Sequence, residues 1–87
     1  MALDLSYIAA KNGLAVAMAH AKKTDEAIAL ANEIVQAEAE YAPAHYNLAW
    51  WYALDKNDAA AARPHYAKAL ELGLAGHKKL DKALSGK

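Results

Sequence analysis

Apolar residues recur along this chain at steps of three and four, the spacing that places side chains on one face of an α-helix. In the first part of the chain this spacing puts six residues on one stripe of a helix: Tyr7, Ile8, Lys11, Leu14, Ala15 and Met18. Asp4 and Ser6 are suitable N-caps, and the Lys22-Lys23 pair suits the negative end of a helix dipole. The pattern therefore predicts a first helix from near Asp4 or Ser6 to the two lysines.

Two further helices follow from the same period. Thr24 is expected to cap the second helix, whose apolar positions continue to about residue 39. Pro43 is expected in the first turn of a third helix, where its missing N–H costs nothing, and that helix is expected to end near Leu54.

The last third of the chain predicts a fourth helix over about 59–72 and a short fifth helix over about 74–85. Pro64 lies inside the fourth helix, so we expect a kink there. Gly73 occupies the place of a left-handed C-terminal cap. Leu80 is among the residues expected on the apolar side of the fifth helix. No strand is expected, and the fold class is all-α with five helices.

The composition supports closely packed helices in one domain that spans residues 1–87. Of the 87 residues, 56% are hydrophobic, 24 are alanine and none is phenylalanine. A core with so many small side chains brings helix backbones close together. Ala49 and Ala62 are expected to be such points of contact.

The chain also contains an internal repeat. Leu14-Ala15 recurs as Leu48-Ala49 after 34 positions, and Ala27 recurs as Ala62 after 35. Residues 44–70 show the further pattern His45, Leu48-Ala49, Tyr52, Ala62, Tyr66 and Ala69-Leu70. A period near 34 with two helices per unit is typical of tetratricopeptide repeats, and the chain resembles that family over roughly residues 7–72.

The resemblance implies a right-handed superhelix of antiparallel helical hairpins. The first repeat would span about 7–40, the second about 41–73, and a capping helix about 74–85. In the family, the first helix of each hairpin lines a concave groove that holds a peptide. The corresponding positions on these helices are Ala9, Asn12, Val16, His20, Tyr46, Asn47, Trp50 and Leu54. The same analogy places Lys78 and Lys82 on the fifth helix, facing the groove, and all of these residues except Ala9 are the expected protein-binding residues. Some members hold a peptide carboxylate with two asparagines and basic residues, but Val16 stands in place of one asparagine.

Trp50-Trp51-Tyr52 is the most informative local feature. Three consecutive helical residues span about 200° of the helix circumference, so they cannot all face one core. Tyr52 is expected inside the second hairpin and Trp51 against a neighbouring helix, which leaves Trp50 for the groove. One alternative is that both tryptophans enlarge the core, with the fifth helix filling the groove.

Charge and candidate chemistry narrow the functional classes. The net charge is zero, which disfavours nucleic acid as a partner. The chain has no cysteine, and its four histidines are too widely spaced for a metal site. No nucleophile motif or phosphate loop is present, so we expect no enzymatic activity, no cofactor and no metal. No apolar run is long enough to span a membrane and no secretory signal is evident, so a cytoplasmic location is expected.

Two functions follow from these patterns. The first is a protein-interaction module, a scaffold or adaptor, that binds a peptide or helix of a partner protein in the groove. The second is a structural subunit that associates with itself, because two repeats leave an end face open near the first helix. RNA binding is a third and weaker alternative, since groove positions such as Val16 and Leu54 supply no positive charge.

Overall fold

Five α-helices follow one another in the computed structural model, which describes residues 5–85. They are α1 (Leu5–His20), α2 (Thr24–Ala37), α3 (Ala42–Trp50), α4 (Ala59–Glu71) and α5 (Lys78–Ala83). A π-helical turn, Trp51–Asp55, continues α3. Within residues 5–85 there is no strand, so the all-helical class and the five helices predicted from the sequence are confirmed.

Helix α1 begins at Leu5, next to the predicted start near Asp4 or Ser6, and Asp4 lies outside the described residues. Two other predicted helix starts need correction. Thr24 is the first residue of α2, and Lys23 occupies the N-cap position without a capping hydrogen bond. The fifth helix begins at Lys78 instead of residue 74, because Gly73 turns the chain back and the His77 side chain caps the helix.

The end of α4 follows the prediction for Gly73. This residue has a φ of 108°, in the left-handed region. The N–H of Gly73 donates to the carbonyl of Leu70 at 3.0 Å, and the N–H of Leu74 donates to that of Ala69 at 3.1 Å. This pair of bonds is a Schellman motif.

Pro64 does not interrupt α4, which runs unbroken from a side-chain cap on Asp58 to Glu71. The carbonyl that loses its helical donor belongs to Ala60. Both Ala60 and Pro64 are exposed, so water can reach that carbonyl.

The core lies where α1 packs on α2, α3 packs on α4, and α2 packs on α3. One cluster joins α1, α2 and α3 through residues such as Ala15, Ala31 and Leu48. A second joins α3, α4 and α5 through Ala49, Ala62, Ala53, Tyr66 and Leu80. Ala49 and Ala62 are fully buried in this second cluster, as the sequence predicts.

Two residues of the stripe predicted for α1 do not face the core. Tyr7 is 61% exposed and Leu14 is 53% exposed, whereas Ala15 is fully buried. Because α2 covers only one side of α1, the apolar stripe is wider than the surface that the fold buries. None of the helices within residues 5–85 is long and apolar enough to cross a bilayer.

Candidate functional site: a cleft between the first and third helices

A cleft of about 870 Å³ opens between α1 and α3. It is lined by the C-terminal half of α1, the loop that follows it, the first residue of α2, α3 with its π turn, and one residue before α5. The lining residues are Val16, Ala19, His20, Lys22, Thr24, Tyr46, Asn47, Trp50, Trp51, Leu54, Asp55 and His77. Six of the nine residues that the sequence singles out therefore lie on this wall: Val16, His20, Tyr46, Asn47, Trp50 and Leu54.

Aromatic rings form one side of the cleft. Tyr46 and Trp50 are one helical turn apart on α3, and their ring centroids are 6.3 Å apart. The His77 ring meets the Trp50 ring edge-on at 4.9 Å. Both Tyr46 and Trp50 are half-buried, so one side of each packs on the protein while the rest borders the open volume.

Trp50 therefore combines both roles that the sequence leaves open. It packs against the cluster that contains Leu80, and it also lines the cleft. The segment before α5 covers part of its ring but leaves the cleft open. Trp51, by contrast, is buried with Ala27, Ile28 and Ala31 of α2, which agrees with its expected place against a neighbouring helix.

The π turn determines which side chains at the end of α3 line the cleft. The N–H of Lys56 donates to the carbonyl of Trp51 at 2.9 Å, five residues back. Such a turn holds one residue more than an α-helical turn. That residue shifts Leu54 and Asp55 around the helix, and both line the cleft.

The π turn also explains why the repeat is 34 residues long before it and 35 after it. Before the turn, Ala15 corresponds to Ala49. After the turn, the helix ends His20 and Asp55, and the helix starts Thr24 and Ala59, are each 35 apart. Two left-handed residues also correspond at this distance, Lys22 with a φ of 70° and Asn57 with a φ of 54°.

An amide pair links the two inner helices beside the cleft. The Asn47 amide nitrogen donates to the Asn12 amide oxygen at 3.1 Å. Asn12 is half-buried and does not line the cleft itself. The Asn47 amide is therefore oriented by its hydrogen bond to α1, and this bond occupies a donor that the family's arrangement would use for a peptide carboxylate.

Lys78 and Lys82 do not line the cleft, contrary to the position that the family register implies for them. Both are exposed. The later start of α5 places His77 at the cleft in their stead. The periodicity places His77 on one side of the predicted fifth helix, with Leu74, Leu80 and Leu84, but it does not place His77 in the groove. In the structure His77 precedes a helix of six residues.

The mouth of the cleft is polar and carries both signs of charge. Thr24 donates its hydroxyl to Asp55 at 3.4 Å, which joins the start of α2 to the π turn. Next to this contact, the Lys56 ammonium lies 2.7 Å from the Asp25 carboxylate, and that hydrogen bond raises the pKa of Lys56. Lys22 and Asp55 are the charged residues of the lining if the histidines are neutral, and their charges cancel.

A buried tyrosine attaches the segment before α5 to the body of the protein. The Tyr66 hydroxyl donates to the Asp81 carboxylate and accepts from the N–H of His77 at 3.0 Å. Burial, followed by the bond to Asp81, raises the pKa of Tyr66. A methyl group on Gly76 would lie 2.7 Å from the Tyr66 hydroxyl, so glycine permits this close approach.

A pair of histidines lies between α3 and α4, away from the cleft. His45 is buried, and its Nε2–H donates to the carbonyl of Ala39 at 2.7 Å. Its Nδ1 is then the acceptor for the Nδ1–H of His65 at 3.1 Å. Among residues 5–85, no three or more His, Cys, Asp or Glu side chains are grouped as ligands for a metal ion.

No family model, curated protein or solved structure matches this chain. The function of the chain is therefore inferred from the geometry of the cleft. The cleft presents aromatic and aliphatic surface at its centre with amide, imidazole, hydroxyl and mixed charge around it, and this arrangement suits non-covalent recognition.

Proposed function

We propose that this protein is a non-enzymatic interaction module that binds a segment of a partner protein in the cleft between α1 and α3. The observation that carries the proposal is the Tyr46–Trp50 pair, half-buried on the wall of an open cleft. Aromatic side chains with one packed side and one accessible side are the usual anchors of protein interfaces.

The chemistry of the lining indicates what kind of segment would fit. Ligand pockets commonly have volumes of about 300–1,000 Å³, so a cleft of 870 Å³ accepts several side chains at once. Val16, Trp50 and Leu54 favour an apolar side chain at its centre. Asn47 and Thr24 favour backbone or polar groups beside it.

The charge of the cleft disfavours nucleic acid. One lysine and one aspartate in the lining give no attraction for a phosphate backbone, which depends on several cations. Lys78 and Lys82, which would add positive charge, are outside the lining.

The proposal includes a tetratricopeptide-like arrangement of the two hairpins. It is supported by the corresponding loops, in which Lys22 matches Asn57 and Lys23 matches Asp58 as residues before a helix. It is also supported by the matched small residues Ala15 and Ala49, both fully buried. The absence of cysteine from the sequence is compatible with a cytoplasmic location, which we include in the proposal.

A phage-displayed library of random 12-residue peptides provides a direct test. Peptides selected on the wild-type protein are titrated against it and against Trp50→Ala and Leu54→Glu, with intrinsic tryptophan fluorescence or calorimetry as the readout. We expect either substitution to weaken binding by about 30-fold or more, the effect typical of losing an interface anchor.

Leu70→Glu is the matched control for this experiment. Leu70 is 40% exposed on α4, close to the 36% of Leu54, but it lies outside the cleft. We expect its affinity for the selected peptides to equal that of the wild type. Peptides that bind the Leu54→Glu protein as well as the wild type would place the binding surface elsewhere, and a library that yields no peptide would contradict the proposal.

A further inference from the structure

The outer stripe of α1, defined as Tyr7, Ala10, Leu14 and Ala17, is exposed over its whole length. The steps of three, four and three residues are those of the seam of a coiled coil. This stripe is on a different side of α1 from Val16 and His20, which line the cleft. It is therefore a surface that the proposed peptide site does not use.

The repeat within the chain shows what such a stripe does when it is covered. The residues 34 positions later are Tyr41, Ala44, Leu48 and Trp51. Ala44 and Leu48 are fully buried, Trp51 is 5% exposed, and Tyr41 is half-buried. They pack on side chains of the preceding hairpin, among them Ile8 and Ile34. The same positions in and around α3 are thus a surface for docking onto helices.

The charge of α1 indicates which partner suits its stripe. Between residues 5 and 21 the sequence has a single charged residue, Lys11. Its ammonium lies 3.7 Å from the Glu33 carboxylate and 5.4 Å from the centre of the Tyr7 ring. The exposed side of α2, in contrast, carries Asp25, Glu26 and Glu33. The four residues of the stripe are uncharged, and the Lys11 ammonium beside Tyr7 is paired with Glu33, so two copies of the stripe can meet without repulsion between like charges.

We propose that a second copy of this chain docks on the outer stripe of α1, so that the two α1 helices pack against each other about a two-fold axis near Leu14. Leu14 and Tyr7 supply the apolar area, and Ala10 and Ala17 allow the two backbones to approach closely. The interface does not involve the cleft, so the dimer presents two clefts to partner segments.

A head-to-tail arrangement of the copies is less favourable than this closed dimer. The opposite end of the molecule, at α4 and α5, exposes Arg63, Lys78, Lys79 and Lys82. Docking the uncharged stripe there would remove these cations from water without supplying carboxylates to pair with them. The closed arrangement buries apolar surface and leaves those cations in solvent.

Sedimentation equilibrium of the full chain tests the proposal. The range from about 1 μM to about 1 mM is chosen because a single contact between two helices is smaller than a standard interface and implies a modest affinity. We expect the wild type to dimerise reversibly within this range. Leu14→Glu is expected to weaken the association by about 30-fold or more. Leu70→Glu, a matched change on exposed α4, is expected to dimerise like the wild type.

A charge-swap experiment distinguishes two-fold from head-to-tail association. Leu14→Glu and Leu14→Lys are each expected to be folded monomers, as verified by circular dichroism, because Leu14 is exposed in the monomer. An equimolar mixture is expected to associate more strongly than either variant alone. A wild type that stays monomeric at the highest concentration overturns the proposal. So does loss of association in Leu70→Glu but not in Leu14→Glu, or association that continues to polymers.

Discussion

At the scale of single residues, the short loop of each hairpin contains one residue in the left-handed conformation, but the two loops place different side chains there. Lys22 after α1 and Asn57 after the π turn both have left-handed φ values, 70° and 54°. Asparagine tolerates this conformation, whereas a lysine there is strained because its Cβ lies close to the backbone carbonyl. The bonds around Lys22 show the Schellman pattern, with Lys22 N–H on Ala19 O at 3.0 Å and Lys23 N–H on Met18 O at 2.9 Å.

Lys22→Gly is therefore expected to stabilise the protein by about 0.5–1 kcal/mol, because glycine adopts the left-handed conformation without strain. The greater freedom of glycine in the unfolded chain offsets part of this gain. Urea denaturation followed by far-ultraviolet circular dichroism measures the change. Ala21→Gly, one residue earlier and without a positive φ, is the control and is expected to destabilise the protein by a similar amount. Destabilisation by both changes would contradict the strain assigned to Lys22.

At the scale of helices, the sequence predicts most accurately the features that depend on local chemistry. Pro43 in the first turn of α3 and Gly73 at the end of α4 lie where their backbone preferences require. The sequence does not predict the π turn, although the repeat length of 35 after Ala49 indicates the extra residue. A sequence pattern shows that one residue is added but not whether a loop or a helix accommodates it.

The histidine pair between α3 and α4 is expected to make the stability of the fold depend on pH. Burial, followed by the neighbouring His45, lowers the pKa of His65 from its ordinary value of 6.5. The unfolded chain therefore binds a proton at His65 more readily than the folded protein does. The free energy of unfolding is expected to fall as pH decreases through 6.5 and to be fully retained above it.

Urea denaturation at pH 7.5 and at pH 5.5 tests this expectation in the wild type, His65→Gln and His20→Gln. His65→Gln removes the titrating group that contacts His45 and stacks on the ring of Tyr52. We expect it to reduce the loss of stability between the two pH values. His20 is exposed on α1, and its substitution is expected to leave that loss unchanged. Equal losses in all three proteins would show that this pair does not govern the pH dependence.

At the scale of the whole molecule, the candidate site depends on how three parts of the chain are held together. α1 and α3 face each other across the cleft, and the segment before α5 supplies His77. The sequence predicts the first two parts because Val16, Tyr46 and Trp50 follow the repeat. It does not predict the third, because the path of residues 74–77 depends on Gly73, Gly76 and a tertiary bond to Tyr66.

The exposure of Leu14 also depends on the arrangement of the whole molecule. Its repeat counterpart Leu48 is fully buried, yet Leu14 is 53% exposed. The two positions have the same local pattern, but Leu48 packs on residues of α1 and α2, whereas Leu14 is on a side of α1 that the helices of residues 5–85 leave exposed. Periodicity identifies a surface that can be buried, but the number of neighbouring helices decides whether it is.

The attachment of α5 through Tyr66 leads to the last prediction. Tyr66 is buried, and its hydroxyl joins α4 both to Asp81 in α5 and to the backbone of His77. Tyr66→Phe keeps the ring among Ala49, Ala62 and Leu80 but removes both bonds. We expect it to lower the free energy of unfolding by about 1–3 kcal/mol, because the N–H of His77 and the Asp81 carboxylate lose a partner.

Hydrogen exchange measured by mass spectrometry locates this effect. In Tyr66→Phe, amides of residues 78–84 are expected to exchange faster, while those of α2 keep their relative protection because α2 packs on α1 and α3. Asp81→Asn is the conservative comparison: its amide oxygen still accepts from the Tyr66 hydroxyl, so a smaller increase is expected. If exchange in Tyr66→Phe rises uniformly along the chain, the hydroxyl supports the whole fold instead of docking α5. Faster exchange confined to residues 78–84 would show that the Tyr66 hydroxyl docks α5 on α4 through its bonds to Asp81 and His77.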